Sequence, residues 1–140
     1  MERRDFLKTS CGLCVTLGAG LLGGILESCA PAGVYEAERN GDALVVPLNR
    51  FDINELQIVR SEDEQYNIAV HRRHDDTYIA LLMSCTHAAT QLVSTGDEFV
   101  CRLHGSRYNE EGEVVQGPAE RPMKVLETRT ENDRLLIFPG

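Results

Sequence analysis

The sequence predicts an antiparallel all-β sandwich or barrel, and three observations carry that prediction. From Ala43 onward, short runs rich in Val, Leu, Ile and aromatic residues follow one another closely. Clusters of Gly, Asn, Asp and Ser stand between them. No stretch in this region keeps the 3.6-residue apolar period of an amphipathic helix. With about 100 residues available, strands this short and closely spaced suit a single sandwich or barrel domain.

In chain order the predicted strands begin with ALVVPL (43–48) and LQIVRS (56–61), the second closed by the turn Ser61-Glu62-Asp63. YNIAVHR (66–72) and TYIALLM (77–83) flank the turn His74-Asp75-Asp76. EFVCRL (98–103) follows the turn Ser94-Thr95-Gly96-Asp97, and EVVQ (113–116) follows Glu111-Gly112. MKVLETRT (123–130) and RLLIFP (134–139) are separated by the turn signal Asn132-Asp133. His71 and His74, at a hairpin end beside Arg and Asp, read as a solvated turn.

The chain ahead of these strands is of a different kind. Arg3-Arg4 precede an uncharged run from Thr9 to Leu26, closed by Glu27, the layout of an export signal or membrane anchor. Those residues would make a helix of roughly 27 Å, borderline for a bilayer core about 30 Å thick, and glycines at 12, 18, 20, 23 and 24 weaken it further. Arg3-Arg4-Asp5-Phe6-Leu7-Lys8 resembles the twin-arginine export motif, and Leu26-Glu27-Ser28-Cys29 resembles a bacterial lipoprotein box with Cys29 as the lipidated residue. A retained N-terminal helix is the alternative anchor. Cys11 and Cys14 form a C-x-x-C, but an apolar leader gives them no folded environment to tune a dithiol. Residues 1–29 are therefore read as signal or anchor, 30–42 as a tether, and 43–140 as the domain, held on the periplasmic face of a bacterial inner membrane.

The formal net charge is −8, and from Ala30 onward there are 11 basic and 19 acidic residues, so the acidity belongs to the domain. A nucleic-acid partner would call for a basic stripe, which is missing. No Ser-His-Asp order, phosphate-cradling loop or paired-carboxylate constellation stands out.

What does stand out is a doubled pairing. Cys85-Thr86-His87 follows TYIALLMS, and Cys101-Arg102-Leu103-His104-Gly105 follows EFV, so each Cys/His pair falls where strand patterning stops. Binding residues commonly sit on such loop tips. Two thiolates and two imidazoles can hold a tetrahedral zinc or an iron–sulfur cluster. The single residue between Cys85 and His87 is tight for one zinc ion and suits side chains directed to different metal atoms.

These motifs resemble those of the Rieske [2Fe–2S] proteins, C-x-H followed after a loop by C-x-x-H-G. The similarity continues through Ser106, Tyr108 and Asn109, then Gly112 and Gly117-Pro118-Ala119, as in the Rieske subunits of quinol-oxidising cytochrome bc- and bf-type complexes. The resemblance implies a Rieske-like β-sandwich or barrel with two cluster-binding loops and one [2Fe–2S] cluster. Cys85 and Cys101 would hold one iron; His87 and His104 would hold the other, each with a ring nitrogen left near the surface. Neutral imidazoles in place of two thiolates make reduction easier, and Rieske centres in general lie at roughly −150 to +300 mV against about −400 mV for plant-type clusters. The family match makes Ser106 and Tyr108 hydroxyl donors to cluster sulfurs. If about 1.4 kcal/mol of such a bond favours the reduced form, the potential rises by roughly 60 mV. Gly117 and Pro118 begin a loop that would cover the cluster.

Two departures stand out. The bc-type pattern has a disulfide clamping the cluster loops, and its positions here are Thr90 and Leu103, with Leu103 expected to supply an apolar contact instead. Glu120 stands where the cover loop often has a proline. The resemblance implies an electron-transfer subunit rather than a catalyst on its own. Its expected partners are a quinol-oxidising membrane subunit and a cytochrome c-type acceptor, with the exposed histidine nitrogen meeting the quinol hydroxyl. Alternatives are the Rieske small subunit of a periplasmic molybdenum oxidase such as arsenite oxidase, docked on its large subunit, and, from another class, a zinc-stabilised, non-redox binding domain. A soluble ferredoxin feeding a ring-hydroxylating oxygenase fits the leader poorly.

Overall fold

The computed structural model describes residues 33–140. Arg3, Arg4, Cys29, the rest of the 1–29 segment read as signal or anchor, and the start of the stretch read as a tether lie outside the described residues. Twelve strands follow: β1 (Val34–Glu36), β2 (Glu38–Asn40), β3 (Ala43–Pro47), β4 (Leu56–Arg60), β5 (Ile68–Arg72), β6 (Tyr78–Leu82), β7 (Val93–Ser94), β8 (Glu98–Val100), β9 (Arg107–Asn109), β10 (Val114–Gln116), β11 (Val125–Glu131) and β12 (Arg134–Phe138). A short 3-10 helix, Leu48–Asp52, joins β3 to β4. Among the described residues no helix is long and apolar enough to cross a membrane.

Eight strands form one sheet in the order β1-β4-β5-β6-β11-β12-β3-β2, and four form a second, β10-β9-β8-β7. The two edges of the large sheet are β1 and β2, and only Ala37 separates them in the chain. The sheet therefore curls until its edges meet, giving a nearly closed barrel. Ala37 N–H also bonds Arg60 C=O at 2.8 Å, which holds the junction against β4. Every pairing is antiparallel except β1 with β4, where the register is Val34 opposite Ile58.

The central strands bury both faces, and side-chain alternation sends successive residues to different cores. On β5, Ile68 and Val70 join Leu44, Val46, Phe51, Leu135 and Ile137, while Ala69 faces the opposite way. On β6, Ala80 joins that first core; Ile79 and Leu81 join Leu56, Ile58, Leu92, Phe99 and Met123, the packing between the large sheet and the small one. Burial on both faces explains why these strands read as nearly unbroken apolar runs. Gln57 on β4 is buried, and its amide donates to the carbonyls of Arg50 and Asn54, each at 2.9 Å.

The eight strands expected from the sequence are present as β3–β6, β8 and β10–β12. The sequence reading missed β1, β2, β7 and β9. The stretch read as a tether contributes two strands from Val34 onward, their short polar segments held by pairing with β4 and β3. The run EFVCRL ends as a strand at Val100, because Cys101 N–H turns back onto Ser106 C=O at 2.8 Å.

Candidate metal centre

The two Cys/His motifs occupy neighbouring loops with the same hydrogen-bonding frame. In the loop after β6, Ala89 N–H bonds Cys85 C=O and Cys85 N–H bonds Thr90 C=O, both at 2.8 Å. In the loop between β8 and β9, Gly105 N–H bonds Cys101 C=O at 2.9 Å and Cys101 N–H bonds Ser106 C=O at 2.8 Å. In both, the residue four places after the cysteine has positive φ, +47° at Ala89 and +82° at Gly105. That conformation is the requirement for glycine at 105: a Cβ there would find only Gln116 Nε2, at 3.8 Å.

The frame separates the donors by depth. Cys85 and Cys101 are buried free cysteines, while His87 and His104 are exposed, their ring centroids 5.1 Å apart and their planes at 78°. Two thiols lie inside and two imidazoles meet at the tip. Among the described residues, no three His, Cys, Asp or Glu side chains gather as they would around a single metal ion. The division into a sulfur pair and a nitrogen pair fits a two-iron cluster with one pair on each metal. A groove of about 1070 Å³, lined in part by Ile53, Leu56, His71, Gln91 and Glu110, contains none of these four side chains.

The sulfur environment favours thiolate. Burial pushes the Cys85 thiol upward, but the Tyr108 hydroxyl, the Ala88 and His87 N–H groups and the Cys101 thiol outweigh it and hold the pKa below the ordinary value. A thiolate is the form that ligates metal. Tyr108 is fully buried, with its hydroxyl 3.6 Å from Cys85 Sγ. Burial raises its own pKa, so the phenol keeps a proton to donate. Its oxygen accepts Thr86 N–H at 3.1 Å, and Thr86 Oγ1 lies 3.0 Å away. Thr90 Oγ1 stands 3.2 Å from Cys101 Sγ.

A third loop, after β10, closes over the other two. Ser106 is fully buried and its Oγ accepts Ala119 N–H at 3.0 Å, leaving its own proton for another acceptor. Thr86 Oγ1 donates to Arg121 C=O at 2.6 Å, and Arg121 Nη2 returns a bond to Thr86 C=O at 3.3 Å. Gly117, Pro118 and Glu120 are exposed; Ala119 and Arg121 make the contacts. The sequence reading missed Thr86 and Arg121, and nothing in the residue pattern marks them.

Two expectations are corrected. Leu103 is 57 % exposed and supplies no buried apolar contact in place of a clamp. His71 is not a solvated turn residue: it sits on β5 with Nε2 3.9 Å from Glu110 Oε2 and Nδ1 buried without a partner.

Comparison with known proteins agrees with this geometry. The model of the Rieske [2Fe-2S] domain matches residues 43–128. The chain belongs to the Rieske [2Fe–2S] domain family, and the cofactor of that domain is a [2Fe–2S] cluster. Within the family it is distantly similar, over part of their length, to iron–sulfur subunits of cytochrome b6-f complexes. It is 38% identical over 63 residues to the cytochrome b6-f complex iron-sulfur subunit 1 of Synechocystis sp., a match covering 44% of this chain and 35% of that protein. The match thus spans about a third of that relative's length. The cyanobacterial plasma membrane Rieske protein PetC3 from Synechocystis PCC 6803 superposes with a TM-score of 0.55 at 20% identity, over 65% of this chain and 93% of that one. A chain from the complex of reduced oxygenase and oxidized ferredoxin in carbazole 1,9a-dioxygenase gives 0.51 at 22% identity, over 71% and 94%. Both likenesses establish the fold.

Proposed function

We propose that the chain is an exported, membrane-anchored one-electron carrier and a component of a quinol-oxidising, cytochrome bc-like complex. The observation that carries the reading is the pair of matching loop frames, with thiols buried and imidazoles 5.1 Å apart at an exposed tip. Cys85 and Cys101 would hold one iron and His87 and His104 the other. The cluster, when bound, accepts one electron and passes it on. The chain's own residues set the conditions. Tyr108 and Ser106 present hydroxyls toward the sulfur side, and the loop from Gly117 to Pro122 shuts water away from it. His104 or His87 offers its outward ring nitrogen to the quinol hydroxyl, so that a proton leaves by the same face as the electron. Arg3-Arg4 direct export, and either a lipid on Cys29 or a retained N-terminal helix holds the domain at the periplasmic face of the inner membrane. The partners are a quinol-oxidising membrane subunit and a cytochrome c-type acceptor.

A second reading, the small subunit of a periplasmic molybdenum oxidase, draws support from the two clamp positions. Thr90 and Leu103 stand where the bc-type pattern has its disulfide, and both cysteines among the described residues are free.

Iron and acid-labile sulfide analysis of the purified full-length chain tests the ligand assignment. Two of each per chain, lost in Cys101→Ala and in His104→Ala, is the expected result. A colourless protein carrying one zinc ion would overturn it.

A further inference from the structure

We propose that the Thr90 hydroxyl donates a hydrogen bond to the Cys101 sulfur, joining the two cluster loops and raising the reduction potential. The inference rests on the reading of Cys101 as an iron-bound thiolate. The distance from Thr90 Oγ1 to Cys101 Sγ is 3.2 Å. Either atom of a free thiol and hydroxyl can donate, but a sulfur bound to iron has lost its proton, so the bond can then run only from threonine to sulfur.

The backbone fixes this geometry. Thr90 C=O accepts Cys85 N–H at 2.8 Å, so the residue is anchored to one cysteine through its main chain while its side chain reaches the other. Its branched Cβ limits rotation about χ1, and half-burial keeps water from taking its place freely. The shared loop frame supplies an independent argument. Thr90 stands five residues after Cys85, as Ser106 stands five residues after Cys101, and both carbonyls accept the N–H of their own cysteine. Each loop thus closes on a hydroxyl residue. Ser106 Oγ also accepts Ala119 N–H, whereas the contact of Thr90 Oγ1 is with the sulfur. At 3.2 Å against 3.6 Å, it lies nearer its sulfur than Tyr108 lies to Cys85.

The direction of the effect follows from charge. Reduction makes the cluster and its sulfur ligands more negative, and a hydrogen bond to a more negative acceptor is stronger. The Thr90 hydroxyl therefore stabilises the reduced form more than the oxidised one. A purely packing role for Thr90 would be kept by an isosteric valine; a donor role would not.

The test is a potentiometric titration of the full-length chain as wild type, Thr90→Val, Thr90→Ala and Thr90→Ser, with iron and acid-labile sulfide measured on each. Loss of the hydroxyl in Thr90→Val or Thr90→Ala is expected to move the reduction equilibrium roughly tenfold toward the oxidised form, about 59 mV for one electron. Thr90→Ser is expected to stay near wild type. If neither hydroxyl-free variant keeps its cluster while Thr90→Ser does, the joining of the loops is upheld. An unchanged midpoint in a fully loaded Thr90→Val overturns the proposal, as does a Thr90→Ser that behaves like Thr90→Val. Cys101→Ala separates the two levels: a cluster retained in that variant refutes the ligand reading itself, whereas cluster loss there with an unmoved Thr90→Val refutes Thr90 alone.

Discussion

Tyr108 has one proton and two acceptors within reach, Cys85 Sγ at 3.6 Å and Thr86 Oγ1 at 3.0 Å. The Thr86 hydroxyl spends its own proton on Arg121 C=O, so it competes for the tyrosine proton rather than supplying one. With Cys85 bound to iron as proposed, its sulfur would carry more negative charge than the threonine oxygen, and charge would favour the sulfur. Tyr108→Phe is therefore expected to lower the midpoint by tens of millivolts, and by less than Thr90→Val does. A Tyr108→Phe midpoint equal to wild type would mean that the proton rests on Thr86. At this scale the sequence was legible where residue type alone suggests chemistry: two Cys and two His in C-x-H and C-x-x-H are candidate metal donors, which the fold brings to two neighbouring loops. Thr86, Thr90 and Arg121 were not legible in their roles. A hydroxyl or a carbonyl acquires its role only once the loop has turned it toward a partner, and the turns at Ala89 and Gly105 depend on backbone closure rather than on side-chain type.

Strands β4, β5 and β6 were readable because burial on both faces leaves a run of apolar residues that no loop would carry. The short strands β1, β2, β7 and β9 have two or three residues each, and their existence depends on the neighbour that pairs with them. The connections between strands make their own predictions. Gly112 has φ +81°, and an added Cβ would stand 2.9 Å from Leu81 Cδ2 and 3.2 Å from Met123 Cβ. Its carbonyl also accepts Met123 N–H, so it fastens the β9–β10 turn to the start of β11. Gly112→Ala is expected to destabilise the domain by about 1–3 kcal/mol, read as a lower chemical denaturation midpoint. Asp75, in the turn between β5 and β6, takes the Thr77 hydroxyl at 2.6 Å and the Thr77 N–H at 3.1 Å on one carboxylate oxygen. Those bonds hold its pKa below the ordinary carboxylate range. A carboxylate with a depressed folded-state pKa stabilises the fold above its unfolded value, and the contribution fades as pH falls through the folded value. Thermal denaturation of Asp75→Asn should therefore show a deficit against wild type at neutral pH that closes in acid. A deficit independent of pH would contradict the assignment.

For the whole molecule, the barrel carries the second sheet on the outer face of β4–β6, and the second sheet carries the candidate centre between its loops. The four candidate ligands thus come from two loops braced by the packing of Leu92, Phe99, Tyr108 and Met123. All-β architecture and the position of both loops at strand ends followed from the sequence; closure of the barrel did not, because it depends on edge strands drawn from the segment read as tether. The leader yields its own expectation. With Cys29 as the anchor, the mature chain begins at an acylated Cys29, and mass spectrometry of the N-terminus would find it; an intact leader would instead indicate a retained helix. Mixed cysteine and histidine ligation, as proposed, would make this domain a one-electron carrier of relatively high potential. A redox titration of the purified, full-length chain tests it most directly. The predicted result is a single one-electron transition in the upper half of the roughly −150 to +300 mV range of Rieske centres. A midpoint near the −400 mV typical of plant-type clusters, or no transition at all, would contradict it.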